Sequence, residues 1–197
     1  MKKSVIAPIL AIVAASLLLL GLSFGLQGAA QANAQAEHLR IMKTLLPGSE
    51  TFTAEPYAGD DANIISVHKA ENGFVIETAT RGYADTITVL VGVSNEGKVT
   101  GLVIKDMHET LGLGQTALTD WQFLAQFLNT SGGVAIGTAG EDAFSGATGS
   151  DSADTETYVD GITGATVTSK AIARCINSAV AYVTGADTDS GATSWGG

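Results

Sequence analysis

From Val5 to Gly25 the chain carries no charged residue, reading VIAPILAIVAASLLLLGLSFG. As a helix, a run of that length crosses a hydrocarbon core of about 30 Å. Lys2 and Lys3 precede it, so the excess of positive charge on the cytoplasmic side predicts an N-terminus inside and the remainder of the chain extracytoplasmic. A competing reading is a cleaved signal peptide, because Ala30-Gln31-Ala32 and Ala32-Asn33-Ala34 resemble small-residue cleavage sites. The run exceeds the roughly 7–15 residues of a signal core, which favours a retained, single-pass anchor in the cell membrane. Under either reading the folded part lies on the same side.

The chain has 197 residues, enough for one modest domain behind an anchor. With Lys2 and Lys3 set aside, eight basic residues face twenty acidic ones, a net charge near −12. Such a surface repels phosphate backbones and argues against a nucleic-acid partner. The single Cys175 rules out an internal disulfide, and neither cysteines nor the scattered His38, His68 and His108 have metal-ligand spacing. No general acid–base pair or nucleophile–base constellation is present, so no catalytic residues are assigned.

The organisation predicted is an anchor over 1–26, a linker over 27–35, one domain over 36–185 and a flexible tail over 186–197. Leu39, Met42, Leu45 and Leu46 recur at helical spacing, and Pro47-Gly48 ends that helix. Four β-branched runs follow: Asn63–Ala70, Gly73–Thr80, Asp85–Ser94 and Lys98–Lys105. The short turns between them favour antiparallel neighbours. Thr86–Val91 alternates only loosely, as a strand covered on both faces would. Met107–Gly114 reads as a glycine-punctuated loop. Thr119, with Gln122 three residues on, suggests a capping box opening a helix whose apolar face is Trp121, Leu124, Ala125 and Leu128. Gly132–Tyr158 reads as a long loop with Val134-Ala135-Ile136 its one strand candidate. Thr168–Thr184 closes the domain as a helix with Ile172, Ile176, Ala179, Val180 and Val183 on one side and Gly185 at its end. The fold class is α+β: a transmembrane helix, then a mostly antiparallel sheet flanked by helices.

The segment from Asp160 to Lys170 (DGITGATVTSK) supplies three threonines and a serine to the turn before that last helix. On one reading these hydroxyls cap the helix, since Ser and Thr oxygens accept orphan backbone N–H groups. On the other they face a phosphate, which helix N-termini attract through free N–H donors and partial positive charge. Gly164 and Ala165 lack bulk and leave room for a large ring or a modifying enzyme.

Asp160-x-x-Thr163-Gly164-Ala165-Thr166 resembles the D-x-x-[S/T]-G-A-T flavinylation motif of the FMN-binding domain family. Gly82-Tyr83, then Ile87–Val93 and Gly97-Lys98-Val99, is similar to that family's GY…I-x-V-x-V-G…G-x-I stretch. His108-Glu109-Thr110-Leu111-Gly112-Leu113-Gly114 is similar to its H-x-E-T-P-G-L-G loop, with Leu111 where proline is usual. In this order the elements span roughly residues 80–185. The resemblance implies FMN joined through a phosphoester to Thr166 and installed by a separate flavin transferase using FAD. It further implies that Thr163, Gly164, Ala165 and Thr168 shape the cofactor turn, and that Asp160 belongs to the recognised signature. Glu109 and Thr110 are candidate flavin contacts from the loop, against a plain solvated turn. Lys170 is a candidate phosphate partner or an exposed lysine, His108 a loop residue, and Cys175 a core packer.

Asp142-Ala143-Phe144-Ser145-Gly146-Ala147-Thr148 satisfies the same pattern, but an acidic stretch without apolar periodicity follows it. Thr166 is therefore the expected acceptor, and Thr148 a decoy or a weaker second one. The function implied by the resemblance is that of an electron-carrying flavoprotein in an ion-translocating membrane complex. The closest assignment is the G subunit of an Rnf-type ferredoxin:NAD oxidoreductase, working with the other subunits. Alternatives are the C subunit of a Na⁺-translocating quinone reductase, a stand-alone extracytoplasmic flavoprotein, and, from another class, a non-redox anchored binding module.

Overall fold

The computed structural model describes residues 15–16, 30–131, 133–137 and 157–186. Among these no helix is long and apolar enough to cross a membrane. The predicted anchor over 1–26 lies outside them except for residues 15–16, which are helical. The second acceptor motif ending at Thr148 lies outside them too, as does the tail beyond Ala186. Two compact units divide between Ile41 and Met42. In the first, residues 30–41 are helical, with a Glu37–Arg40 ion pair one turn apart. The helix as a whole (α1) covers residues 30–45, so it takes in residues 30–35 of the segment read as a linker.

The second unit is built on a five-stranded antiparallel meander in the order β1-β2-β3-β4-β5. Its strands are β1 (Thr53–Glu55), β2 (Ile64–Ala70), β3 (Gly73–Arg81), β4 (Thr86–Ser94) and β5 (Val99–Asp106). The last four match the predicted runs to within a residue at every end. Ala70 pairs with Gly73, so Glu71-Asn72 is a two-residue hairpin loop. A Cβ on Gly73 would lie 2.1 Å from the Val93 carbonyl oxygen, which only glycine tolerates.

Helix α4 (Thr166–Thr184) lies across β3 and β4. Ile172, Ile176, Ala179 and Val180 pack with Ile76, Ile87, Val89, Val91 and Val93 in one cluster, each at most 2% exposed. Each of the larger side chains contributes on the order of 1.5–3 kcal/mol by leaving water. Gly185, with φ +71°, ends the helix in the left-handed conformation expected of a C-terminal glycine. On the opposite face of the sheet, Leu90 is buried together with Leu45 and Leu46. A Cβ on Gly92 would lie 2.3 Å from the Leu45 carbonyl oxygen, and the Thr100 hydroxyl donates to that same oxygen. Central strand β4 is thus covered on both faces, which accounts for its weak alternation.

After β5 come two short helices, α2 (Gly114–Thr119) and α3 (Trp121–Ala125). Thr119 closes α2, its hydroxyl donating back to the Gln115 and Thr116 carbonyls. Asp120 caps α3 instead, accepting the N–H groups of Gln122 and Phe123. A carboxylate one residue later out-competes the predicted Thr119 box. The buried face of this region is Phe123 and Phe127, edge-to-face at 5.2 Å, whereas Trp121 is 72% exposed. The strand expected at Val134–Ile136 forms as β6 and pairs in parallel with β7 (Thr157–Val159).

Candidate functional site

Three sequence segments far apart in the chain meet at the N-terminal end of α4. The turn over residues 160–165 comes first. The Ala165 N–H donates to the Ile162 carbonyl at 2.9 Å, and Gly164 sits at φ +81°. This is the arrangement of a type II turn, whose third residue must take a positive φ. A Cβ on Gly164 would also come within 3.2 Å of Leu113 Cδ2, so the glycine loop rests against the turn here. Ser169, fully buried, locks the turn to the helix: its hydroxyl donates to the Ala165 carbonyl (3.0 Å) and accepts from the Ile162 N–H (3.3 Å).

The start of α4 has no side-chain cap. Its N-cap position is Ala165, with φ −124° and ψ 31°, and its first turn holds no acidic residue. The first backbone bond along the helix runs from Ser169 N–H to Ala165 C=O. The N–H groups of Thr166, Val167 and Thr168 therefore have no intrahelical acceptor. The reading in which the threonines cap this helix is not what forms.

The three threonines are sorted by environment. Thr163 and Thr166 are exposed, whereas Thr168 is 1% exposed and donates its hydroxyl to Glu109 Oε2 at 2.9 Å. Glu109 is half-buried, and its other oxygen accepts the N–H groups of Ala84 (3.0 Å) and Asp85 (3.4 Å) in the Gly-Tyr turn. A Cβ on Gly82 or on Gly114 would lie 2.4 Å from one or other Glu109 oxygen, so both glycines make room for this carboxylate. Glu109 thus joins the Gly-Tyr turn, the glycine loop and α4.

Thr110 is exposed, and its carbonyl accepts the N–H groups of Leu113 (3.3 Å) and Gln115 (3.2 Å). With Gly112 at φ +79°, Thr110–Leu113 is a second turn of type II form, and Leu111 occupies the position that proline favours there. Leucine is accommodated because Gly112 and the Thr110 carbonyl already hold the turn, and its side chain is 80% exposed. Asp160 is exposed. Its N–H donates to Gln126 Oε1 (2.9 Å), and its carbonyl accepts from Gln126 Nε2 (3.4 Å).

Among the remaining candidates, Lys170 is exposed on the first turns of α4. The His108 Nδ1 lies 3.7 Å from Asp106 at the surface. Cys175 is fully buried, and burial pushes its thiol up to about 11, which keeps it protonated and unreactive. No group of histidine, cysteine or carboxylate side chains suited to a metal ion occurs among the described residues. Glu109 and Thr110 emerged from the loop motif alone. Two further residues hold the turn without a sequence motif to mark them: Gln126 bonds across 34 residues, and Ser169 bonds back locally, as many helical serines do.

The chain matches the FMN-binding domain family over residues 82–181, a stretch that contains all three segments. Among curated relatives, the G subunit of the Na⁺-translocating ferredoxin:NAD⁺ oxidoreductase complex of Acetobacterium woodii is 32% identical over 111 residues, covering 55% of this chain and 47% of that protein. The G subunit of the proton-translocating ferredoxin:NAD⁺ oxidoreductase complex of Clostridium ljungdahlii is 33% identical over 111 residues, covering 56% and 53%. The G subunit of the ion-translocating oxidoreductase complex of Methanosarcina acetivorans is 30% identical over 165 residues, covering 78% and 77%. The chain spans about half the length of the first two.

Proposed function

The chain belongs to the FMN-binding domain family, and on that premise we propose that it carries FMN bonded through its phosphate to the Thr166 hydroxyl. The observation that carries the reading is the pairing of an exposed Thr166 with an uncapped helix start. A phosphodiester at Thr166 would bring its remaining negative charge to the N–H groups of the first turn and the positive end of a 19-residue helix. Thr168, its hydroxyl committed to Glu109, is a poor acceptor, and Thr163 lies before the helix. Gly164 and Ala165 keep the approach open, while Leu113 from the glycine loop borders the turn. Thr110 shapes that loop, and Asp160 remains exposed as part of the signature a flavin transferase would read.

FMN, when bound, supplies one-electron transfer, and the protein contributes its attachment, orientation and electrostatic setting. A tethered carrier suits a subunit that relays electrons between fixed neighbours. The relatives support the larger assignment, to the G subunit of an ion-translocating ferredoxin:NAD⁺ oxidoreductase complex of Rnf type, with the other subunits as partners. In that assignment residues 1–26 anchor the domain in the cell membrane, and residues 36–185 stand on the extracytoplasmic side. The C subunit of a Na⁺-translocating quinone reductase is the second reading within flavin chemistry, and co-purifying proteins would separate the two. A non-redox binding module is disfavoured by a helix start that has hydroxyls on hand and no side-chain cap.

Intact mass spectrometry of the full chain co-expressed with a flavin transferase tests the core of the proposal. The expected result is an added FMN mass on the native chain, lost completely in Thr166→Ala. A native chain without the adduct would sink the proposal, and a Thr166→Ala chain that kept it would redirect attachment to Thr148.

A further inference from the structure

From the junction at the N-terminal end of α4 we infer that Glu109 is a positioning residue for flavin attachment, acting through the Thr168 hydroxyl and the Ala84 and Asp85 N–H groups. This rests on the reading of Thr166 as the acceptor. In the attachment step the Thr166 oxygen bonds to the riboflavin-bearing phosphorus of FAD while the pyrophosphate P–O bond breaks. AMP leaves with the bridging oxygen, the hydroxyl proton is released, and no electrons change hands. Such a transfer between two macromolecules depends on how firmly the acceptor oxygen is presented, because misplacement by about 1 Å can cost roughly a hundredfold in rate.

Both carboxylate oxygens of Glu109 accept hydrogen bonds from within the domain. One carboxylate oxygen receives Thr168 from α4, and the other receives two backbone N–H groups from the Gly-Tyr turn. Thr168 is two residues from Thr166, in the first helical turn, and at 1% exposed it has no access to water. Without Glu109 its hydroxyl would have to find another acceptor or remain unpaired, which is unfavourable for a buried donor. Gly82 and Gly114 lack the Cβ that would displace the carboxylate. The negative charge lies near the positive end of α4, where an acid is favourable. The helix itself provides none in its first turn, so the charge comes from another element and Ala165 stays free of a capping side chain. Attachment on this account depends on the folded three-segment junction, and a D-x-x-S-G-A-T sequence alone does not suffice. Residues 142–148 repeat that sequence, but the Glu109 oxygen is already committed to Thr168.

The test is the rate of FMN addition to the full chain by flavin transferase and FAD, followed by intact mass, with melting of the unmodified chain measured alongside. Thr168→Val keeps shape and removes the donor, so it is expected to slow attachment roughly tenfold to a hundredfold. Thr168→Ser restores the donor and should stay within about threefold of the native rate. Glu109→Ala should slow attachment as Thr168→Val does, and the double variant should be no slower than the worse single one, as residues acting as a unit require. Attachment at the native rate in Thr168→Val with its fold intact overturns the inference, whatever Glu109→Ala does to stability. Multiplying defects in the double variant overturn it too. A native chain that takes no FMN removes the Thr166 reading and this inference with it. A native chain that is modified beside variants modified equally fast removes only this inference.

Discussion

At the start of α3 the Asp120 carboxylate accepts the N–H groups of Gln122 and Phe123, and its backbone is extended, with φ −76° and ψ 105°. At the start of α4 the same position holds an alanine, with φ −124° and ψ 31°. The short helix is finished at its N-terminus, whereas the long one is left open. A five-residue helix, with Phe123 its one buried residue, is too short to stand on its backbone bonds and depends on its cap. The 19-residue helix is held by the row of side chains it buries against β3 and β4, so its N-terminal donors are free to serve something other than stability. An open helix start is thus informative only where the burial behind it is sufficient.

If the buried face holds α4, the largest effect should come from cutting there. Ile176→Ala, at a side chain with no exposure, is expected to cost about 2–5 kcal/mol in denaturant unfolding. A cost below about 1 kcal/mol would mean that the helix is not held by this row. Asp120→Ala converts the start of α3 into the open kind. It should cost about 0.5–2 kcal/mol, the usual value of a lost N-cap, and leave the proposed FMN adduct at Thr166 unchanged. Loss of the adduct in Asp120→Ala would show that the two helix starts are coupled.

Helix α4 and most of the five-stranded sheet are legible in the amino-acid sequence. The meander can be read because β-branched runs and two-residue turns are local signals, and the α4 face because its apolar spacing is helical. Strands β1 and β7, three residues each, carry too little pattern to register. Misreading Thr119 as a cap has a specific cause, since Thr119 and Gln122 fit a capping box that the neighbouring Asp120 pre-empts. The site is legible as three motifs and illegible as one junction. Glu109 meets Thr168 across a separation of 59 residues and Ala84 across 25, and sequence spacing carries no information about such contacts.

The smallest predicted effect bears most directly on why α4 stays open. Ala165→Ser puts a capping side chain at the vacant position. If residue choice alone left the helix open, the serine oxygen would reach a first-turn N–H and raise stability by about 1 kcal/mol, the reverse of the usual loss. An N-cap, however, normally adopts the extended backbone of Asp120, and Ala165 does not. Its conformation is fixed by the Ile162–Ala165 turn and by Ser169, which bonds both sides of that turn. The serine oxygen is therefore misaligned, and at a position only 5% exposed Ala165→Ser should bring no gain in stability. A gain of about 1 kcal/mol in the melt or in urea would break the comparison, because the open start would then follow from the alanine alone. The absence of a gain would trace it to the backbone, set by the turn that holds Gly164 at positive φ.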